Sequence, residues 1–340
     1  MKIKKALALF AALSLSAATI VGCSGSSGTS STGTKEAQSS KAPDRITIAT
    51  ATTGGVYYPV GNALAKLWTQ KNSVQAVAQT SAGGVANLQM MAKKEAEIAF
   101  VESGIADYAV NGTEMFEGKK IENIRGLTSL YPNVVHILVK ADSGINSLKD
   151  IKDKRIIPGS RGSSSEVNSR KILGAYGLDY VKRKDVKADF MGFNESAEAL
   201  KNGQVDVVSM TGGMPLASVL DVATSSNVKL LSLDKDTVDK LVKENPYFVP
   251  FTIPKGTYKG QTEDVLTVAV TNLLVVRADM PTDFVYNLTK TMYENLPILI
   301  ETHKALKDLN KDVAITGMNI PLHEGAKKYF KEIGLKVDGK

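Results

Sequence analysis

The sequence predicts an α/β protein of two lobes with mainly parallel sheets, and three observations predict it. Short β-type runs alternate with amphipathic helical stretches. The turns from strand to helix are rich in Gly, Ser and Thr, and they come from both halves of the chain. The composition is that of an ordinary globular chain, with 340 residues, 43% hydrophobic and 23% charged. This excludes a disordered chain and a polytopic membrane protein, and the length suits two lobes of about 150 residues each.

The first element is a leader. Lys2, Lys4 and Lys5 form a basic start, and residues 6–20 are an apolar run. A run of about 15 residues fits a signal peptide and is short for a membrane span. Ile20-Val21-Gly22-Cys23 follows, with the only cysteine of the chain at its end. The tetrapeptide resembles the lipobox of bacterial lipoproteins, in which residues 1–22 are removed and Cys23 is acylated. Losing three lysines lowers the formal charge from +7 to +4. No block of five or more Lys/Arg occurs, so nucleic acid is not an expected partner. Residues 24–42 are small and polar, a flexible tether that with Cys23 makes a segment 23–43 before the globule. No later segment spans a membrane; the best candidate, residues 265–276, is broken by Thr267, Thr271 and Asn272.

The globule begins near Asp44. Residues 46–49 read as a strand and 50–55 as a small-residue loop. Pro59 fits the first position of a helix. Val60, Ala63, Leu64 and Leu67 then make an apolar stripe. The unit recurs as strand 74–80, loop 81–84 and helix 85–94, then as strand 97–101, turn 102–104 and helix 105–110. Strands are expected at 134–140 and 155–157. Ser163 and Glu166 match a capping box for a helix over 164–176. Asn194 is the expected cap of helix 195–201, which Gly203 ends. Strand 205–210 runs into Thr211-Gly212-Gly213-Met214-Pro215.

In parallel α/β sheets, ligands sit beyond the carboxyl ends of strands, at helix N-termini. Free N–H groups and the positive helix end favour an anion there, and glycine lets the backbone approach it. The loops at 50–58, 80–84, 102–104, 159–165 and 211–215 therefore point to one anion held between two lobes. Neither nucleotide-binding glycine fingerprint is present. The three histidines are far apart, with no zinc motif, and no G-x-S-x-G elbow exists, so a zinc site and a serine elbow lack support. No cofactor is expected, and the sequence leaves open whether a metal ion accompanies the solute. Ser163 to Ser165 allow a secreted serine hydrolase as an unfavoured reading, because capping already explains them. His136 is expected in the core, His323 in a structural hydrogen bond and His303 at the surface.

Thr53-Gly54-Gly55-Val56-Tyr57-Tyr58-Pro59-Val60-Gly61 resembles the opening motif of the TAXI family, the extracytoplasmic solute-binding subunits of a class of TRAP transporters. Residues 80–91, 131–139, 144–156, 198–215, 253–270 and 321–334 resemble further segments of that family in order, so the resemblance covers about 44–335. It implies a periplasmic-binding-protein-like (type II) clamshell. Lobe I would comprise 44–133 plus 250–340, and lobe II 134–249. The implied function is binding of a small carboxylate, an acidic amino acid such as glutamate or a C4/C5 dicarboxylate or keto acid, for uptake driven by an ion gradient. The implied partners are TRAP membrane subunits and, through the lipid on Cys23, the outer face of the bacterial cytoplasmic membrane. A monomer and no catalysis are expected. The receptor of an ATP-driven (ABC) importer for a small anion shares the same two-lobed plan and is the alternative.

Expected ligand contacts are Thr53, Gly54, Gly55, Tyr57, Ser81, Glu102, Ser103, Tyr131, Arg161, Ser163, Ser164, Ser165, Thr211 and Gly212. Three loops depart from the family pattern: Gly83-Gly84-Val85-Ala86-Asn87, Glu102-Ser103-Gly104 and Gly159-Ser160-Arg161-Gly162-Ser163-Ser164-Ser165. Arg161 would clamp a ligand carboxylate, and Glu102 would accept a hydrogen bond from a ligand ammonium. Together they would suit a zwitterion.

Overall fold

A computed structural model describes residues 41–337. The leader, Cys23 and residues 24–40 lie outside the described residues. One ten-stranded sheet runs through the globule, its main path ordered Gln75–Gln79, Arg45–Ala49, Ile98–Glu102, Val265–Arg277, Ile124–Lys140, Val207–Gly213, Arg155–Ile157, Lys187–Ala188. Val228–Leu230 pairs with Ile124–Lys140, and Phe248–Ile253 with Val265–Arg277.

The two ends of the sheet are βαβ units. At one end, β1 (Arg45–Ala49), α1 (Tyr57–Lys71), β2 (Gln75–Gln79), α2 (Gly84–Ala92), β3 (Ile98–Glu102) and α3 (Ser103–Asn111) follow in order. Here β1 pairs parallel with both β2 and β3. At the other end, β5 (Arg155–Ile157), α4 (Ser164–Ala175), β6 (Lys187–Ala188), α5 (Phe193–Lys201) and β7 (Val207–Gly213) repeat the plan. There β5 pairs parallel with β6 and β7. The apolar stripe of α1 is buried at Val60, Leu64, Leu67 and Trp68. The single Trp donates its indole N–H to the Leu288 carbonyl at 3.0 Å.

Two long strands join the ends. β4 (Ile124–Lys140) and β10 (Val265–Arg277) are antiparallel to each other and to their other neighbours. β8 (Val228–Leu230) and β9 (Phe248–Ile253) also add antiparallel. The sheet is therefore mixed, not mainly parallel. The crossover helices fix parallel pairing at the ends, while the strands that pass between the ends return in the opposite sense. α6 (Ala217–Ser225), α7 (Lys235–Glu244), α8 (Thr282–Glu294), α9 (Leu296–Thr302) and α10 (Glu324–Glu332) complete the layers.

Alternation along β10 shows how one strand serves four cores. Leu273 and Val275 enter one cluster, with Leu88 and Phe330. Leu274 and Val276 enter a second, with Trp68 and Leu64. Nearer its start, Val268 and Val270 join a third, with Ile156 and Phe248. Ala269 joins a fourth, with Val208 and Ile253. Each fully buried aliphatic side chain of this kind contributes about 1.5–3 kcal/mol. Residues 265–270 thus pack with the β7-β5-β6 end and residues 273–276 with the first end, so β10 passes from one set of cores to the other at 271–272. The pairing register shifts between Thr271 and Leu273 at that point, a bulge where the strand changes partners.

Two capping expectations also change. α1 begins at Tyr57, so Pro59 is its third residue. α5 begins at Phe193 with Gly192 before it, and no side chain caps it. Asn194 instead accepts a hydrogen bond from Ser218 Oγ at 2.8 Å. Ser163 does cap α4, its hydroxyl accepting from the Glu166 N–H at 3.0 Å. The reciprocal half of the box is replaced by pairing of the Glu166 carboxylate with Arg170 and Tyr180.

Candidate functional site

The carboxyl ends of strands from both ends of the sheet face one cavity. Its walls come mainly from helix starts and from two strands, β4 and β7. Val56 and Tyr57 open α1, Gly83 and Gly84 open α2, Glu102 precedes α3, and Ser163, Ser164 and Ser165 open α4. Tyr131 and Asn133 come from β4, and Thr211 and Gly212 from β7. Space open to water centres is small, about 50 Å³, because the two sides are drawn together. The Ala86 N–H donates to the Gly162 carbonyl at 3.1 Å. Ser218 Oγ donates to the Gly54 carbonyl at 3.2 Å, and Lys171 pairs with Glu114 at 2.5 Å.

Any side chain at Gly54, Gly83 or Gly84 would crowd the seam. A Cβ on Gly84 would lie 2.2 Å from Ser164 Oγ, and one on Gly54 would lie 2.3 Å from Asn194 Oδ1. Gly83 has φ +120° and its Cβ position faces the Ser163 backbone, a conformation L side chains rarely adopt.

Four side-chain atoms of this lining are buried without a hydrogen-bond partner: Tyr131 Oη, Asn133 Oδ1, Ser164 Oγ and Thr211 Oγ1. An unpartnered buried polar atom costs about 1–3 kcal/mol, so folds rarely leave four around one space. Their neighbours are satisfied. Ser163 Oγ donates to the Ser160 carbonyl at 2.7 Å, and Ser165 Oγ accepts from the Thr211 N–H at 3.0 Å.

Glu102 is the buried acid of the lining, 1% exposed. Asn133 Nδ2 donates to its Oε1 at 2.8 Å. Asn168 Nδ2, from α4 on the opposite side, donates to its Oε2 at 2.6 Å. Burial pushes its carboxyl up to about 7 against the pull of those two amides. Tyr57 donates to Asn272 Oδ1, which also accepts from Asn133 Nδ2 at 3.0 Å. Burial, then the nearby Glu102, holds the Tyr57 and Tyr131 phenols well above their ordinary range.

Of the expected contacts, the structure brings Gly55, Tyr57, Glu102, Tyr131, Ser163, Ser164, Ser165, Thr211 and Gly212 to the cavity. Five lie elsewhere. Thr53 is exposed, and Gly54 is packed against Asn194 and Ser218. Ser81 bonds Asn87 and the Gly83 N–H within its own loop. The Ser103 carbonyl accepts from Asn319. Arg161 is exposed, its guanidinium 3.6 Å from the centre of the Phe190 ring. That stacking takes the expected carboxylate clamp away from the cavity, because the side chain leaves the loop toward the aromatic face. Asn133 and Asn168 were not among the expected contacts; an Asn inside an apolar strand, as at 133 and 272, was the available signal. His136 is buried against Tyr258, and His323 caps α10 by accepting from the Gly325 N–H. His303 is half-buried, its Nδ1 accepting from the Ala305 N–H.

Two βαβ ends, two long connecting strands and one cavity at the loops of both ends make the fold of periplasmic-binding-protein-like solute-binding proteins. The chain belongs to the NMT1-like family, whose match spans residues 48–334. Among similar solved structures, PhnD1 from Prochlorococcus marinus (MIT 9301), in complex with methylphosphonate, is 16% identical, with 86% of this chain and 97% of that one covered and a TM-score of 0.53. A structure described as a periplasmic transporter is 12% identical, covering 85% and 92%, with a TM-score of 0.51. The alkanesulfonate-binding protein SsuA from Xanthomonas axonopodis pv. citri, bound to MOPS, is 14% identical, covering 86% and 85%, with a TM-score of 0.45. At these identities the likeness is one of fold.

Proposed function

We propose that this protein is an extracytoplasmic solute receptor that closes two lobes around one small anion and passes it to a membrane importer. The observation that carries the reading is the set of four buried, unpartnered polar atoms on residues that line one cavity at the starts of α1, α2 and α4. A solute with an anionic group would meet the unpartnered hydroxyls of Ser164 and Thr211, in the field of the helix ends. A donor nitrogen on the same solute would face Glu102 and Asn133 Oδ1. A small carboxylate, an acidic amino acid in particular, satisfies both ends. The hinge would lie where β4 and β10 cross, at residues 131–133 and 271–272. Solute that binds the closed form better shifts the population toward closure.

Two importers fit such a receptor. The ATP-driven importer for a small anion is the reading the comparisons favour: PhnD1, of similar fold, holds methylphosphonate, a small anion. The TRAP reading rests on the TAXI-like motifs, above all residues 53–61. Export and anchoring rest on the leader and Cys23. A catalytic reading has less support, since Ser163 Oγ is committed to Ser160 and Glu166.

Thermal-shift screening of the mature chain against amino acids, dicarboxylates, keto acids, phosphonates and sulfonates tests the receptor. A saturable rise in melting temperature with a small anion supports it, and none across the panel sinks it. Co-purification separates the importers: an ATPase subunit marks the ATP-driven type, and membrane subunits without one mark the TRAP type.

A further inference from the structure

We propose that Glu102 is the charge selector of the cleft, deciding whether a solute must carry a positive nitrogen or must enter together with a proton. The proposal rests on the solute-receptor reading and goes beyond it. It stands first on geometry. Glu102 ends β3, on one side of the cavity, and Asn168 reaches it from α4 on the other, at 2.6 Å. Closing the two sides therefore makes this contact and strips water from the carboxylate; opening breaks it.

Among the described residues, no positive side chain attends the carboxylate. The groups around it are Asn133 and Tyr131 from β4, Tyr57 from α1, Asn168 from α4, Asn272 opposite it on β10, and Tyr247 just before β9. The cations of α4 are engaged with other acids, Lys171 with Glu114 and Arg170 with Glu166. Arg161 lies on Phe190. The unpartnered Asn133 Oδ1 adds a second acceptor on the same wall.

A buried carboxylate without a counter-charge holds a proton more tightly than an exposed one. Glu102 stands at about 7 in the closed arrangement, against an ordinary 4.5. The sign follows from linkage. Closure without a cation takes up a proton between these values, so it becomes less favourable as pH rises through that window. An anion without nitrogen pushes the carboxyl higher still, extending the loss above pH 7. An ammonium beside Glu102 supplies the missing counter-charge, so the carboxylate stays ionised and no proton is taken up.

Calorimetric titration of the mature chain with L-glutamate and with 2-oxoglutarate, at pH 5.5 and 8.0 and in two buffers of different ionisation enthalpy, tests this. The keto acid should bind with uptake of about one proton and lose up to about tenfold in affinity per pH unit, while the amino acid should bind with neither effect. Glu102→Gln, an isosteric neutral change, should remove the proton uptake and cut the amino acid's preference at least roughly tenfold. Equal pH dependence for the two solutes, or a preference unchanged in Glu102→Gln, overturns the proposal. If neither probe binds, small-angle scattering of the unliganded chain decides it separately. Compaction at pH 5.5 relative to 8.0 that Glu102→Gln abolishes supports the selector. An identical radius of gyration at both pH values overturns it, whatever becomes of the solute reading.

Discussion

The two walls of the cavity contrast. The wall at the start of α4 offers donors and a positive helix end, with Ser164 Oγ free and Ser163 spent on the cap. The wall at the end of β3 offers acceptors, Glu102 and Asn133 Oδ1, and no cation. The first wall suits an anion, while the second sets an acid beside the helix starts of α1 and α2. The difference teaches that the site is polarised along its length, so a bound solute is oriented as well as held. Neutral hydroxyls and main-chain amides supply the positive end without an arginine, which keeps the buried charge small.

Blocking the meeting of the walls should have the largest effect. Gly84→Val places a branched side chain where even a Cβ meets Ser164 Oγ at 2.2 Å. Overpacking of about 1–3 kcal/mol falls on the closed form, so solute affinity should drop up to about a hundredfold with an unchanged far-UV spectrum. An unaltered affinity by calorimetry breaks the picture of a tight seam.

The donor wall comes next. Ser164→Ala removes a hydroxyl that the fold leaves unpartnered. A lost hydrogen bond to a charged solute costs about 1.5–3 kcal/mol, so affinity should fall at least about tenfold. The melting temperature without solute should stay level or rise, because no bond of the fold is lost. A fall would mean that the hydroxyl serves the structure.

Its neighbour should behave oppositely. Ser163→Ala removes the cap of α4 and should cost about 1 kcal/mol of stability, read as a drop in denaturation midpoint. A midpoint unchanged by this substitution contradicts the division of labour between adjacent serines.

The smallest change belongs to Arg161. Arg161→Ala exposes part of Phe190 and touches no cavity atom, so affinity and stability should each move by less than about 0.5 kcal/mol. A tenfold loss of affinity would return the guanidinium to the site.

The loops around the cavity were legible because glycine, serine and threonine punctuate a strand–helix repeat. Gly55, Ser163, Ser164, Ser165, Thr211 and Gly212, all in such punctuation, line the cavity. The central strands were not legible as antiparallel, since a fully apolar run such as residues 134–139 carries no sign of its direction. Thr53, Gly54 and Arg161 lie off the cavity lining for a related reason: a loop's sequence does not say which of its residues turns inward. Arg161 turned toward an aromatic ring that comes from a different segment, Phe190.

The sequence by itself determined the α/β alternation, the glycine-bearing turns and the cap at Ser163. These depend on contacts within a few residues, where backbone sterics and local hydrogen bonds decide the outcome. Only the tertiary structure decided the mixed sheet, the passage at residues 271–272 and the charge environment of Glu102. A carboxylate's environment is the sum of what distant segments bring to it. Asn133, Asn168, Tyr57 and Tyr131 reach it from three different elements, and no local pattern records that meeting.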